Sequence, residues 1–415
     1  MNFLRKKIFF LTIPIFWLLI YFALDHYSFW NKWGIQKMDL VFPDLHILLS
    51  ALDAYLSGYD VIKENPFCHY NIPHVYSRAW FVFQYIGFSD NYRFEIGILI
   101  LILTSSTVAL LSRKKEIRLL IFACSPAIML AIERCNNDLI IFILLPLVCF
   151  FALSDKKILV ILGHCLLFFA TCLKYYPVAF SIIFLFRKGA FSINLKHIIV
   201  QIILFFLLIT VIWQDLQFQR NTLPEPGYTW SFGFSAFNSM IIDILRLNEI
   251  SGMAIIGFFT LIFVIMFTKL YKNELKLRSN IIIPNPYKTA LCAGGIMIML
   301  FCYYVKTSFD YRMIFLFLSL PLLLDYKLGN NNSLRNLILA PVMIFLLLTL
   351  SSWFEAIREW GTIIISSTWS EILPISLYII RALELFINHI SFSALLAFAI
   401  FLIIKSNQDA QEKFD

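Results

Sequence analysis

The sequence predicts an all-α, polytopic membrane protein of about twelve transmembrane helices, and three observations carry that prediction. The chain has 415 residues, of which 60% are hydrophobic and only 14% charged, whereas a soluble chain carries roughly a quarter charged residues to solvate its surface. Apolar runs recur along the whole length, so lipid is the solvent expected for most of the surface. The basic residues behind the formal charge of +8 stand in short clusters between those runs. That is how cytoplasmic loops meet anionic headgroups, and it argues against nucleic acid as a partner and for membrane lipids.

Twelve spans are expected at about residues 8–24, 94–112, 118–132, 139–154, 158–173, 176–187, 197–213, 252–269, 288–305, 312–325, 336–352 and 375–404. The first follows Arg5-Lys6-Lys7, as in a signal peptide, but no small-x-small cleavage site follows it, so it reads as a retained helix. Residues 176–187 are the weakest run, short enough for a re-entrant or broken helix. The last is long enough to tilt, kink or lie partly in the interface. Charge bias supports the arrangement. With the N-terminus inside, the inner segments hold 21 of the 34 basic residues, in short loops that all obey the positive-inside rule. Both termini are then cytoplasmic, and residues 1–415 form a single transmembrane domain.

Three long segments fall on the outer face, at about 25–93, 214–251 and 353–374. In the first, Leu45, Leu48, Leu49, Leu52 and Leu56 recur at helical spacing between Pro43 and Gly58, which predicts a helix lying in the interface with its apolar side to lipid. Tyr228, Trp230, Trp353, Trp360 and Trp369 suit either an interfacial aromatic belt or stacking on sugar rings. The eight cysteines show no disulfide framework and no metal-ligand spacing. Most fall inside apolar runs and read as small packing residues. No metal site and no cofactor are expected.

The bilayer centre is expected to be nearly free of ionisable groups, with His164 the clear candidate at mid-depth and most simply a hydrogen-bonded core residue. Polar residues instead gather where spans emerge outside: Glu133-Arg134-Cys135-Asn136-Asn137-Asp138, Lys174-Tyr175-Tyr176-Pro177, and Lys306 to Arg312. Each short outer loop carries a cation against the positive-inside bias. Arg134 and Arg312 have acidic neighbours with which to pair as interfacial residues. Alternatively, the cations supply charge-assisted donors to a phosphate at headgroup depth. Asp39 and Asp44 frame Phe42-Pro43. Asp44 suits a helix N-cap, and equally a general base taking a proton from a hydroxyl at the membrane surface.

With these residues in view, the chain resembles the GT-C glycosyltransferases of family 87, which use polyprenyl-phosphate sugars. The resemblance rests on Pro43-Asp44-Leu45 with Ala51 to Gly58, Asn65-Pro66-Phe67 with Tyr70-Asn71-Ile72-Pro73, Glu133 to Asp138, Lys174 to Pro177, and Asp310-Tyr311-Arg312. It covers residues 40 to about 325, and Cys135 stands where the family motif has glycine. The resemblance implies an inverting transferase at the outer face of the cytoplasmic membrane. Its donor would be a polyprenyl-phosphate sugar and its acceptor a lipid-linked or envelope glycan. Asp44 would be the base, with Asp39 as substitute. Arg134, Lys174, Arg312 and Arg78 would bind the donor phosphate. Glu133, Asn136, Asp138, Tyr175, Asp310, Tyr311 and His74 would contact substrate. A transporter or flippase of a lipid-linked saccharide, and an O-antigen polymerase or ligase, are the competing readings.

Overall fold

A computed structural model describes residues 35, 38–112, 125–222, 233–277, 285–305, 310–325, 344 and 372–411. The span expected at 8–24, residues 336–343, 345–352 and 353–371, Tyr228, Trp230, and the side chains of Asp310 and Tyr311 lie outside the described residues. Among the described residues every regular element is helical. The α-helices are α1 (Pro43–Leu56), α2 (Arg93–Ser112), α3 (Pro126–Arg134), α4 (Asp138–Ala152), α5 (Lys157–Leu173), α6 (Phe191–Val211), α7 (Trp213–Thr222), α8 (Phe234–Leu245), α9 (Glu249–Leu277), α10 (Pro286–Val305), α11 (Leu320–Asp325) and α12 (Ile372–Gln411). Segments of 3₁₀ geometry run over Arg78–Ile86, Asp90–Tyr92, Tyr176–Phe186 and Asp310–Ser319.

Five of the described helices are long and apolar enough to cross a membrane: 90–111, 191–211, 249–271, 286–304 and 379–406. The pair α3 and α4, bent by 110° at its break, would make a sixth. The chain therefore has the make-up of a polytopic membrane protein. The weak run at 176–187 is an 11-residue 3₁₀ segment. At about 2.0 Å rise per residue it reaches roughly 22 Å, further than the same residues wound as an α-helix.

The core is built around α10. The 3₁₀ segments Tyr176–Phe186 and Asp310–Ser319 both pack on it, and Gly294 and Gly295 let them come close. A Cβ at Gly294 would stand 2.3 Å from the Phe180 ring, and one at Gly295 would stand 2.5 Å from the Phe315 carbonyl oxygen. Small residues of this kind admit close approach where lipid leaves only packing and hydrogen bonds to hold elements together. The two segments begin at the cation-bearing turns, so α10 brings those turns to one place.

Two expectations are corrected here. The helix α1 forms where Pro43 and Gly58 predict, but it is enclosed by protein rather than laid on lipid. Of its 14 residues, 11 are buried, and it packs against α2, α3 and the 3₁₀ segments Arg78–Ile86 and Asp90–Tyr92. Its polar residues take partners far along the chain, which a helix lying on a bilayer would leave in water. His46 Nδ1 donates to Asp90 3.0 Å away, and Ser50 Oγ accepts from Asn65 Nδ2. The apolar runs also hold more polar groups than expected. Arg381 pairs with Glu384 inside the 379–406 span, both 3% exposed, and Asn388 Nδ2 donates to Glu384. Buried His389 meets the Tyr303 hydroxyl at 2.9 Å. His164 is hydrogen-bonded as expected, lying 2.9 Å from His197 and accepting from Gln201 Nε2 at 2.7 Å.

Candidate functional site

The break between α3 and α4 holds the first cluster. Helix α3 ends at Cys135, whose φ of 43° is left-handed. That is the conformation glycine adopts at least cost, and here a cysteine holds it. The turn sends Glu133 and Asn136 inward, both fully buried. Glu133 Oε1 accepts from the Met38 amide at 3.2 Å, and Glu133 Oε2 lies 3.3 Å from Arg134 Nε.

Asn136 connects the parts. Its Nδ2 donates to Asp44 Oδ2 at 2.5 Å. Its Oδ1 accepts from Lys174 Nζ at 3.2 Å and from the Asp138 amide at 2.9 Å. Arg134 Nη1 reaches Asp44 Oδ1 at 3.6 Å. Asp44 is not the N-cap of α1. Phe42 is, in a left-handed conformation and without a side-chain cap, because Pro43 takes the first helical position and moves Asp44 into the first turn. Its carboxylate is thereby left for Asn136 and Arg134.

Asp138 is the buried anchor. Lys174 Nζ pairs with its Oδ1, the Tyr176 hydroxyl donates to the same oxygen at 2.6 Å, and Arg312 Nε lies 3.8 Å from Oδ2. Lys174 follows α5, whose end is held by a hydrogen bond from Trp80 Nε1 to the Leu173 carbonyl at 3.1 Å. Its ammonium also lies 5.6 Å from the Tyr76 ring centroid, and the Arg312 guanidinium lies 5.6 Å from that of Tyr176. Burial, reinforced by Arg312, pulls the lysine pKa below its usual value, and Asp138 pulls it back.

Asp44, Glu133, Arg134, Asn136, Asp138, Lys174 and Arg312, expected from the sequence, therefore form one connected polar network drawn from six elements and turns. Four others stand apart. Arg78 is exposed and pairs with Asp215 at 2.8 Å. Asp39 is exposed. His74 is 1% exposed among Tyr76 and Phe81, and burial lowers its pKa to about 4. Tyr175 feels Asp215 as well as burial, which together push its hydroxyl up to about 12. The network takes Tyr176 instead, because the 3₁₀ segment starts there and turns that side chain to Asp138. Sequence reasoning also passed over Tyr76 and Met38. For Tyr176 the signal was present in the Tyr-Tyr pair, while the others carry none.

No protein-family model, curated protein or solved structure matches the chain. Its function must be argued from the network itself.

Proposed function

We propose that the chain is an inverting glycosyltransferase of GT-C type, with twelve spans and both termini in the cytoplasm. It would transfer a sugar from a polyprenyl phosphate to a lipid-linked or envelope glycan at the outer face of the cytoplasmic membrane. The observation that carries this reading is the joining of Asp44 to Arg134, Lys174 and Arg312 through Asn136 and Asp138. In the reaction, Asp44 takes the proton of the acceptor hydroxyl as its oxygen bonds to the anomeric carbon. The bond from that carbon to the phosphate oxygen breaks, and the phosphate leaves with an added negative charge. Arg134, Lys174 and Arg312 stabilise that charge, and their neighbours fix them in place before it appears. Asn136 orients the base.

The transporter reading has an observation of its own, the buried Arg381–Glu384 pair inside an apolar span. Reconstituted protein given radiolabelled polyprenyl-phosphate mannose, glucose and arabinose separates the two. A transferase forms a new glycosidic bond, and Asp44→Asn lowers the rate by at least about 10²-fold, the usual span of general-base catalysis. Transfer at wild-type rate by Asp44→Asn removes the base. Movement of intact donor across the bilayer without transfer supports transport.

A further inference from the structure

Asn137 lies in the middle of the α3–α4 break and belongs to none of the interactions above. It is the N-cap residue of α4, yet its side chain makes no capping hydrogen bond. An asparagine there ordinarily accepts from an amide of the first turn. Here that work is taken by its neighbour. The Asp138 amide goes to Asn136 Oδ1, the Leu139 amide to the Asn136 carbonyl, and the Ile140 amide to Asn137's own carbonyl. Asn137 is 3% exposed, and neither its Oδ1 nor its Nδ2 is hydrogen-bonded. Next to it in sequence, Asp138 Oδ2 is also buried and accepts no hydrogen bond, with the Arg312 guanidinium 3.8 Å away as its ionic partner. Leaving such groups unpaired is costly for each, and a fold keeps them where something else completes them.

The chemistry of these atoms selects what completes them. Two are acceptors, Asn137 Oδ1 and Asp138 Oδ2, and one is a donor, Asn137 Nδ2. A phosphate offers only acceptor oxygens at neutral pH and would be repelled by the first two. Hydroxyls donate and accept at once, so neighbouring hydroxyls satisfy an amide and a carboxylate oxygen together. We infer that Asn137 is a specificity residue that hydrogen-bonds the hydroxyls of the transferred sugar. The cations serve the phosphate, and the α3–α4 break reads the glycosyl group. This rests on the glycosyltransferase reading and adds to it a residue and a division of labour.

The competing occupant is water, and stability and affinity together distinguish the two. Asn137→Leu keeps the side-chain size and removes the unpaired atoms, so the full-length variant unfolds at or above the wild-type temperature in detergent. Asn137→Ala, which replaces the same atoms by space, serves if the leucine variant does not fold. Binding is read with short-chain polyprenyl-phosphate mannose, the glucose analogue, and the same polyprenyl phosphate without sugar. Losing one or two hydrogen bonds to a buried hydroxyl weakens binding of a sugar-bearing probe roughly tenfold to a hundredfold. Binding of the bare polyprenyl phosphate stays at the wild-type value. Unchanged affinity for every sugar-bearing probe in the variants overturns the inference and gives the site to water. Equal weakening for the bare lipid phosphate overturns it in favour of phosphate contact. If wild type binds neither a sugar-bearing probe nor the bare lipid phosphate, both this inference and the transferase reading fail. Intact binding discrimination in Asn137→Leu alongside a dead Asp44→Asn removes the inference alone.

Discussion

Replacing Lys174 by methionine tests whether the network is a set of coupled buried charges. The substitution keeps length and apolar bulk but removes the ammonium that pairs with Asp138, whose side chain is 0% exposed against 10% for the lysine. Breaking a buried pair from one side costs about 3–5 kcal/mol, because the remaining charge stays out of water. Asp138 would still have the Tyr176 hydroxyl at 2.6 Å and Arg312 Nε at 3.8 Å, so the lower end of that range, about 3 kcal/mol, is expected. The informative step is the second substitution. Asp138→Asn on top of Lys174→Met removes the stranded charge and keeps an oxygen for Tyr176 and an amide beside Arg312. The double variant should therefore be more stable than Lys174→Met alone, by about 1–2 kcal/mol, within the range seen for residues in contact. Unfolding by sodium dodecyl sulfate titration in mixed micelles measures both. A lysine variant within about 1 kcal/mol of wild type, or a double variant less stable than the single one, would falsify the coupling.

Two further outcomes concern positions outside the network. Gly295→Ala puts a methyl group 2.5 Å from the Phe315 carbonyl oxygen, and backbone cannot rotate away as a side chain can. The Asp310–Ser319 segment must move, at about 1–3 kcal/mol for an overpacked contact, carrying Arg312 with it. Reduced stability together with reduced transfer is expected, and wild-type values for both would show that α10 does not set the position of Arg312. For His74, burial, aided by nearby Arg78, holds the folded pKa at about 4 against an ordinary 6.5. Between those values the unfolded chain binds a proton that the folded one refuses. Stability is therefore full above about pH 6.5, falls as the pH drops towards 4, and has lost about 3 kcal/mol by then. His74→Phe should flatten that part of the stability profile, and an unchanged acid slope in the variant would place the effect elsewhere.

Much of the molecule is legible in its sequence, for identifiable physical reasons. Composition fixes the class, because a chain with so few charges cannot solvate its own surface. The ends of α1 are legible because Pro43 suits only the first turn of a helix and Gly58, at φ 88°, suits the residue beyond its end. Burial of that helix is not legible. Asp44, His46 and Ser50 look like its solvated face until their partners appear 15 to 92 residues away, and no local pattern shows a hydrogen bond across such a separation. The cations of the site stand out in the sequence because the expected topology puts them against the positive-inside bias. The choice between Tyr175 and Tyr176 depends on where a 3₁₀ segment starts, and helical periodicity of 3.6 misjudges an element with three residues per turn. The Arg381–Glu384 pair escapes for a further reason. Opposite charges three residues apart nearly vanish in an apolar window averaged over a whole span.

The charge balance of the network bears on how it would release a product. Asp44, Glu133 and Asp138 offset Arg134, Lys174 and Arg312, so no surplus of positive charge waits for an anion. The acids have side chains 0–10% exposed and the cations 10–23%, so the cations keep whatever contact with the outside remains. A phosphodiester donor carries one negative charge and gains little by competing with carboxylates already in place. The departing phosphate monoester carries more, and it gains most while the bond is breaking. In the proposed transferase, cations held by neighbouring acids would therefore favour the transition state over the bound donor, which is the difference that raises a rate rather than an affinity. A bare cluster of three cations would bind donor and product tightly alike, and the polyprenyl phosphate would remain on the protein after each transfer.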